Sequence, residues 1–132
     1  MVKYVLIFII FLIVTSNSYA QFPDGWLGTW EGDLIIHSQP GDRNMVIKMK
    51  LSIRESQLVA VRNWNIFYDD NNGGEWRNYN LIGDDPESGI YKMDEQNSII
   101  LDMFYFNDTF FSTYSVGKAI ITVSYELKDE KI

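Results

Sequence analysis

The sequence predicts an all-β domain, an eight-stranded antiparallel up-and-down β-barrel behind a cleavable signal peptide. Three observations carry that expectation. From Trp26 onward, apolar and polar residues alternate with period two, and no window offers the 3.6-residue repeat of a long amphipathic helix. Turn-forming residues interrupt the alternation at short intervals, so successive strands should be antiparallel neighbours. The connections are too short for Greek-key crossings. A chain with one apolar face then buries it by wrapping into a barrel, which also removes unprotected sheet edges.

Residues 1–20 have the grammar of a signal peptide: Lys3 as the positive end, an apolar run over Val5–Val14, and Ser18-Tyr19-Ala20 before the cut. That run is half the length of about 20 residues that a membrane-spanning helix needs. Cleavage after Ala20 leaves one domain, residues 21–132, with no membrane association of its own. The full chain carries a net charge of −7, and loss of Lys3 makes the remainder more negative. Such a surface repels phosphate backbones and anionic lipid, so nucleic acid is not an expected partner. The chain has no cysteine, so neither disulfides nor an N-terminal lipid anchor can form. The expected location is periplasmic or secreted, in a bacterial source.

The eight strands are expected at about 27–37, 45–54, 57–68, 75–83, 89–94, 98–106, 110–116 and 118–128. In the first, Trp30, Gly32, Leu34 and Ile36 share a face, with Glu31, Asp33 and His37 opposite. Trp30 on that face is expected to plug the barrel floor, with Gly28 and Gly32 letting the strand bend sharply. The second has Met45, Ile47, Met49, Leu51 and Ile53 facing the core, and Lys48 and Lys50 facing water. Asp69-Asp-Asn-Asn-Gly-Gly74 supplies the positive-φ residues of a tight hairpin between the third and fourth strands.

Those two strands hold the main functional candidates. One register turns Arg62, Trp64 and Tyr68 inward with Arg77 and Tyr79, placing two guanidinium groups among aromatic rings. A buried Arg costs several kcal/mol unless paired, and an acidic ligand head group would pair it. The other register turns Val59, Val61 and Phe67 inward and leaves both arginines on the surface. Period two alone does not choose between them. The sixth strand is apolar on both faces. Phe104, Phe106 and the neighbouring Phe110 are therefore expected to form an outward interface patch. It could meet the start of the mature chain (Gln21-Phe22-Pro23), a second copy in a homodimer, or a protein partner. The last strand repeats the device, with Ala119, Ile121, Val123, Tyr125 and Leu127 on one face.

Gly28-Thr29-Trp30, at the head of the first strand, resembles the N-terminal Gly-x-Trp signature of lipocalins. It is similar as well to the openings of fatty-acid-binding proteins, avidins and nitrobindin-type haem barrels, which together make up the calycin-like group. "EWRNYNLIGDD" and "GIYKMDEQNSIILD" also resemble exported lipocalin-like domains of Bacteroidetes-type bacteria. The resemblance implies a barrel with a small-molecule site, in the manner of the Arg and Tyr with which fatty-acid-binding proteins grip a carboxylate. The chain departs from lipocalins in one respect: no Arg follows Arg77 to pack over the signature Trp.

Catalytic chemistry finds little footing. His37 is the only histidine and is expected on the outer face, and a thiol nucleophile is absent. Three-histidine or cysteine zinc sites are excluded by count, and the late proximal histidine of nitrobindin-type haem barrels is missing. Acidic pairs such as Asp69-Asp70 and Asp84-Asp85 fall in turns, where Asp caps its own backbone. The expectation is a non-enzymatic binding protein without metal or cofactor, a carrier or sensor of a small hydrophobic or amphipathic molecule. The ligand would be acidic if the arginines face inward. Met45, Met49, Met93 and Met103 would give its tail an adaptable lining. The alternative is a packed barrel that acts as an interaction or inhibitor module through its aromatic patch.

Overall fold

The computed structural model describes residues 22–39, 44–128 and 132. The expected signal segment lies outside the described residues. A short 3-10 turn, η1 (Asp24–Trp26), leads into eight strands: β1 (Gly28–His37), β2 (Asn44–Glu55), β3 (Val61–Asp69), β4 (Glu75–Asp85), β5 (Ile90–Asp94), β6 (Ile100–Phe106), β7 (Thr109–Val116) and β8 (Ala119–Glu126). A second 3-10 turn, η2 (Pro86–Ser88), joins β4 to β5. All eight strands form one antiparallel sheet in sequence order, strongly curled into a half-barrel. No helix among the described residues is long and apolar enough to cross a membrane.

Alternation sets which face goes inward. On the concave side lie Met49, Leu51 and Ile53 of β2, Trp64 and Ile66 of β3, Leu81 of β4, Tyr91 and Met93 of β5, Met103 of β6 and Phe110 of β7, all buried. The ladders put them side by side: Leu51 faces Ile66, Ile53 faces Trp64, Leu81 faces Met93, and Tyr91 faces Met103. Aromatic contacts then span the hollow. The Trp64 ring centroid is 5.4 Å from that of Phe110 and 5.3 Å from that of Tyr125, which ties β3 to β7 and β8. On the convex side of β1 and β2, Glu31 stands opposite Lys50 and Asp33 opposite Lys48, and both pairs form ion pairs.

The structure departs from the expected closed barrel at its seam. Among the described residues β8 does not ladder back onto β1. There the Ile132 N–H donates to the Glu31 carbonyl at 3.3 Å, and the Ile132 side chain packs on the core with Leu127 and Leu34. Gly32 makes room for this contact: a Cβ on it would lie 1.5 Å from the Ile132 carbonyl oxygen. The seam is filled by side chains and the chain end rather than by a continuous ladder.

A second indole joins the expected floor plug. Trp26, just before β1, is buried at 3% exposure, while Trp30 is half-buried, packs against the core and donates its Nε1–H to the Trp26 carbonyl at 3.1 Å. Gly28 starts β1 at φ 140°, a backbone angle open to glycine, opposite Ile53. The third strand starts later than expected. Residues 56–60 form a turn closed by a Val61 N–H to Leu58 carbonyl bond of 3.1 Å, with the Ser56 hydroxyl bonding the Leu58 and Val61 carbonyls. Leu58 and Val59 are consequently exposed rather than sheet residues.

Candidate functional site

The ladder settles the register left open above. Arg62 faces Leu81 and Trp64 faces Tyr79 on the concave side, next to Ile66 opposite Arg77. Arg62, Trp64, Tyr68, Arg77 and Tyr79 therefore share one face, with Phe67 on the other, where its ring meets Trp76 at 5.5 Å. The five do not converge on one point. Arg77 lies four residues along β4 from Leu81, the neighbour of Arg62, a separation of roughly 13 Å at about 3.3 Å per residue. A single carboxylate cannot bridge both guanidinium groups.

A layer of rings separates them. Trp64 is fully buried among Trp26, at 6.2 Å between ring centroids, Phe110 and Tyr125. Its indole Nε1–H has no hydrogen-bond partner among the described residues. An unmade bond of that kind costs about 1–3 kcal/mol.

One end, which we call the open end, is bordered by the β3–β4 and β7–β8 hairpins. The Arg77 guanidinium lies over the Tyr68 ring at 5.6 Å to its centroid, and the neighbouring Tyr79 strengthens its hold on its proton. Burial pushes the Tyr68 hydroxyl above its ordinary pKa, with Tyr79 adding to the rise and Arg77 partly offsetting it. Tyr125 rises well above the usual tyrosine range, first through burial and then through Tyr68, Tyr79 and Tyr114 nearby. Four hydroxyls and one guanidinium thus gather on a largely apolar floor. Ile36, Met45 and Val116 stand exposed at the rim. Met45 therefore borders the hollow, while Met49, Met93 and Met103 are packed within it.

The other, plugged end carries the β2–β3, β4–β5 and β6–β7 connections and is filled by η1. Phe22 stacks on Phe110 at 5.9 Å and meets Tyr91 edge-on at 6.4 Å; Trp26 meets Phe110 edge-on at 4.9 Å. Phe22 is thus inside the hollow, not over the outer patch that the sequence suggested for it. Beside it a cavity of ≈160 Å³ is lined by residues that include Phe22, Arg62, Leu81, Pro86 and Tyr91. The β4 register shift between Gly83 and Asp85, followed by η2, bends the chain to form one wall.

The outer patch is real but differently composed. Phe104 and Phe106 are exposed, whereas Phe110 is fully buried, so the expected outward role of Phe110 is overturned. Thr109 follows the two-residue turn at Asn107-Asp108, both at positive φ, and this places Phe110 opposite Tyr105 on the concave face. Phe111 is the outward ring, opposite Phe104, which in turn faces Ile90. His37 is exposed, with Nδ1 at 2.8 Å from the Asn44 side-chain oxygen. The carboxylates of Asp69 and Asp70 accept the Asn71 and Asn72 backbone N–H groups, as hairpin-turn residues do.

The sequence reading passed over Tyr91, Tyr114 and Tyr125 as site residues, and over Trp26 as the plug. The tyrosines had a signal, since each falls on the inward parity of its strand. Trp26 had none, because it precedes the first strand and has no parity to read. Comparison with protein-family profiles, characterised proteins and solved structures finds no match to this chain. The curled antiparallel sheet is compatible with a calycin-like fold, and geometry carries the functional argument.

Proposed function

We propose that this is a non-enzymatic binding protein that holds a small amphipathic acidic molecule in the open end of a calycin-like cup. The observation that supports this reading is the setting of Arg77: a guanidinium over the Tyr68 ring, two residues along β4 from Tyr79 on the concave face, with apolar Ile36 and Met45 exposed on β1 and β2. An arginine with tyrosine hydroxyls receives a carboxylate with fixed geometry, and apolar walls take a tail. Export from the cytoplasm, read from residues 1–20, fits a carrier or sensor that meets its ligand outside the cell. Titrating dodecanoate against dodecanol by tryptophan fluorescence tests the reading. Dodecanoate should bind more tightly, and Arg77→Met should cost at least tenfold, the effect of one charge-assisted contact worth roughly 1.5–3 kcal/mol. Equal affinity for acid and alcohol, or an unchanged affinity in Arg77→Met, overturns it.

A second reading has its own observation. Ile100, Phe104, Phe106 and Phe111 expose an apolar stretch on the convex face of β6 and β7, with Phe106 at 74% exposure. Such a stretch suits a protein-interaction module or a homodimer. Concentration-dependent sedimentation that Phe106→Ser abolishes would favour it over the carrier reading.

A further inference from the structure

We infer that the half-open cavity at the plugged end is a second compartment, built for a single ring-sized monocarboxylate, with Arg62 receiving the carboxylate and Phe22, Leu81 and Pro86 walling the ring. The inference goes beyond the carrier reading, because the aromatic layer around Trp64 separates this cavity from Arg77.

Size sets the first limit. The volume of ≈160 Å³ is close to the roughly 150 Å³ of an apolar cavity that accepts benzene. It is well below the range of about 300–1,000 Å³ occupied by drug-sized ligands. A long acyl chain would leave most of its length outside the cavity, whereas one six-membered ring with a short polar arm fills it.

Charge sets the second. Arg62 Nη1 donates to the Val59 and Val61 carbonyls at 3.0 Å each, which fixes the guanidinium plane. Its Nε is buried with no hydrogen-bond partner, and no carboxylate pairs with Arg62 among the described residues. A cation held this way, half-buried in an apolar wall, gains from an entering anion what the protein itself does not supply. Tyr91 lines the same cavity and is the other polar side chain in its wall among the described residues. The ring site has its own device: the Arg62 guanidinium lies 5.5 Å from the Phe22 ring centroid, and Phe22 meets Tyr91 edge-on. An added ring continues that stack of cation and aromatic faces.

The valence follows from the surroundings. Asp84, Asp85 and Glu87 are exposed on the η2 side of the cavity, and the whole chain is negative. That field opposes a dianion more than a monoanion, so a monocarboxylate is favoured over a phosphate monoester.

The test uses the full chain with benzoate, benzyl alcohol and phenyl phosphate, followed by isothermal titration and by amide shifts around Arg62 and Tyr91. Benzoate should bind at one site, at least tenfold more tightly than the other two, with shifts confined to the plugged end. Arg62→Met should lower its affinity at least tenfold. Val59→Trp should block the site from an exposed position that leaves the core untouched, so a folding defect in the first variant does not decide the matter. Benzyl alcohol binding as tightly as benzoate overturns the assignment to Arg62, and phenyl phosphate doing so overturns the preference for a monoanion. Dodecanoate displacing benzoate from the plugged end overturns the size limit and the separation of compartments. Absence of benzoate binding, with dodecanoate still bound through Arg77, overturns this inference alone; loss of the Arg77 effect overturns the carrier reading alone.

Discussion

The two ends of the hollow are built from the same sheet and solve opposite problems. At the plugged end, Phe22, Trp26, Trp64, Tyr91 and Phe110 exclude water by packing ring on ring, and Arg62 is the cation caught in the wall. At the open end, Tyr68, Tyr79, Tyr114 and Tyr125 keep hydroxyls near one another around Arg77. The difference teaches that an alternating sheet delivers side chains to one face without deciding their use. What fills that face is set by the segment packed against it, here η1 at one end alone. The plugged end carries the packed rings, and the open end carries the polar groups.

The comparison is broken most easily at the plug. Phe110→Ala should cost about 3–5 kcal/mol in urea unfolding, since a fully buried ring leaves a cavity. The adjacent Phe111→Ala should stay within roughly 0.5 kcal/mol. Equal losses at both positions would refute the assignment of inner and outer faces on β7.

Alkaline pH acts on the open end. Tyr68, Tyr114 and Tyr125 all have their pKa raised from the ordinary value of 10.0, so folding favours their neutral forms. Their contribution to stability is complete below pH 10, where both folded and unfolded chains keep the proton. It falls as pH rises beyond that, because the unfolded chain ionises first. Stability measured from pH 8 to 12 should be level and then decline, with a shallower decline in Tyr125→Phe. Tyrosinate absorbance at pH 10 that Tyr125→Phe removes would contradict the hydroxyl cluster.

The smallest effect is expected on the convex side of β1 and β2. Lys50 and Glu31 are both exposed, and such pairs are screened by water and salt. Lys50→Ala should leave the urea midpoint unchanged within error. A clear drop would mean that this pair, and not the concave packing, holds β1 in place.

The strands were largely legible because period two is a local property. Ile47 to Ile53, and Ile121 to Glu126, each alternate without a break, and both lie in strands with the odd residues inward. Asp69 to Gly74 was legible as a hairpin because positive φ at Asn71, Gly73 and Gly74 suits Asn and Gly. Phe110 was misread for a local reason as well. The turn at Asn107-Asp108 uses two residues, and that count shifts the inward parity of β7 to even positions. The strand-three register needed the partner strands, because Arg62 and Val61 each belong to an acceptable alternating face.

By itself, the sequence determined the number, order and antiparallel sense of the strands, since side-chain alternation and turn chemistry act over a few residues. Tertiary structure alone decided that Trp26 is buried more deeply than Trp30, and that Ile132 occupies the seam over Gly32. It alone decided too that the two arginines stand apart behind a wall of rings. Those outcomes depend on which surfaces meet across the curl of the sheet, and the residues that meet there are tens of positions apart in the chain.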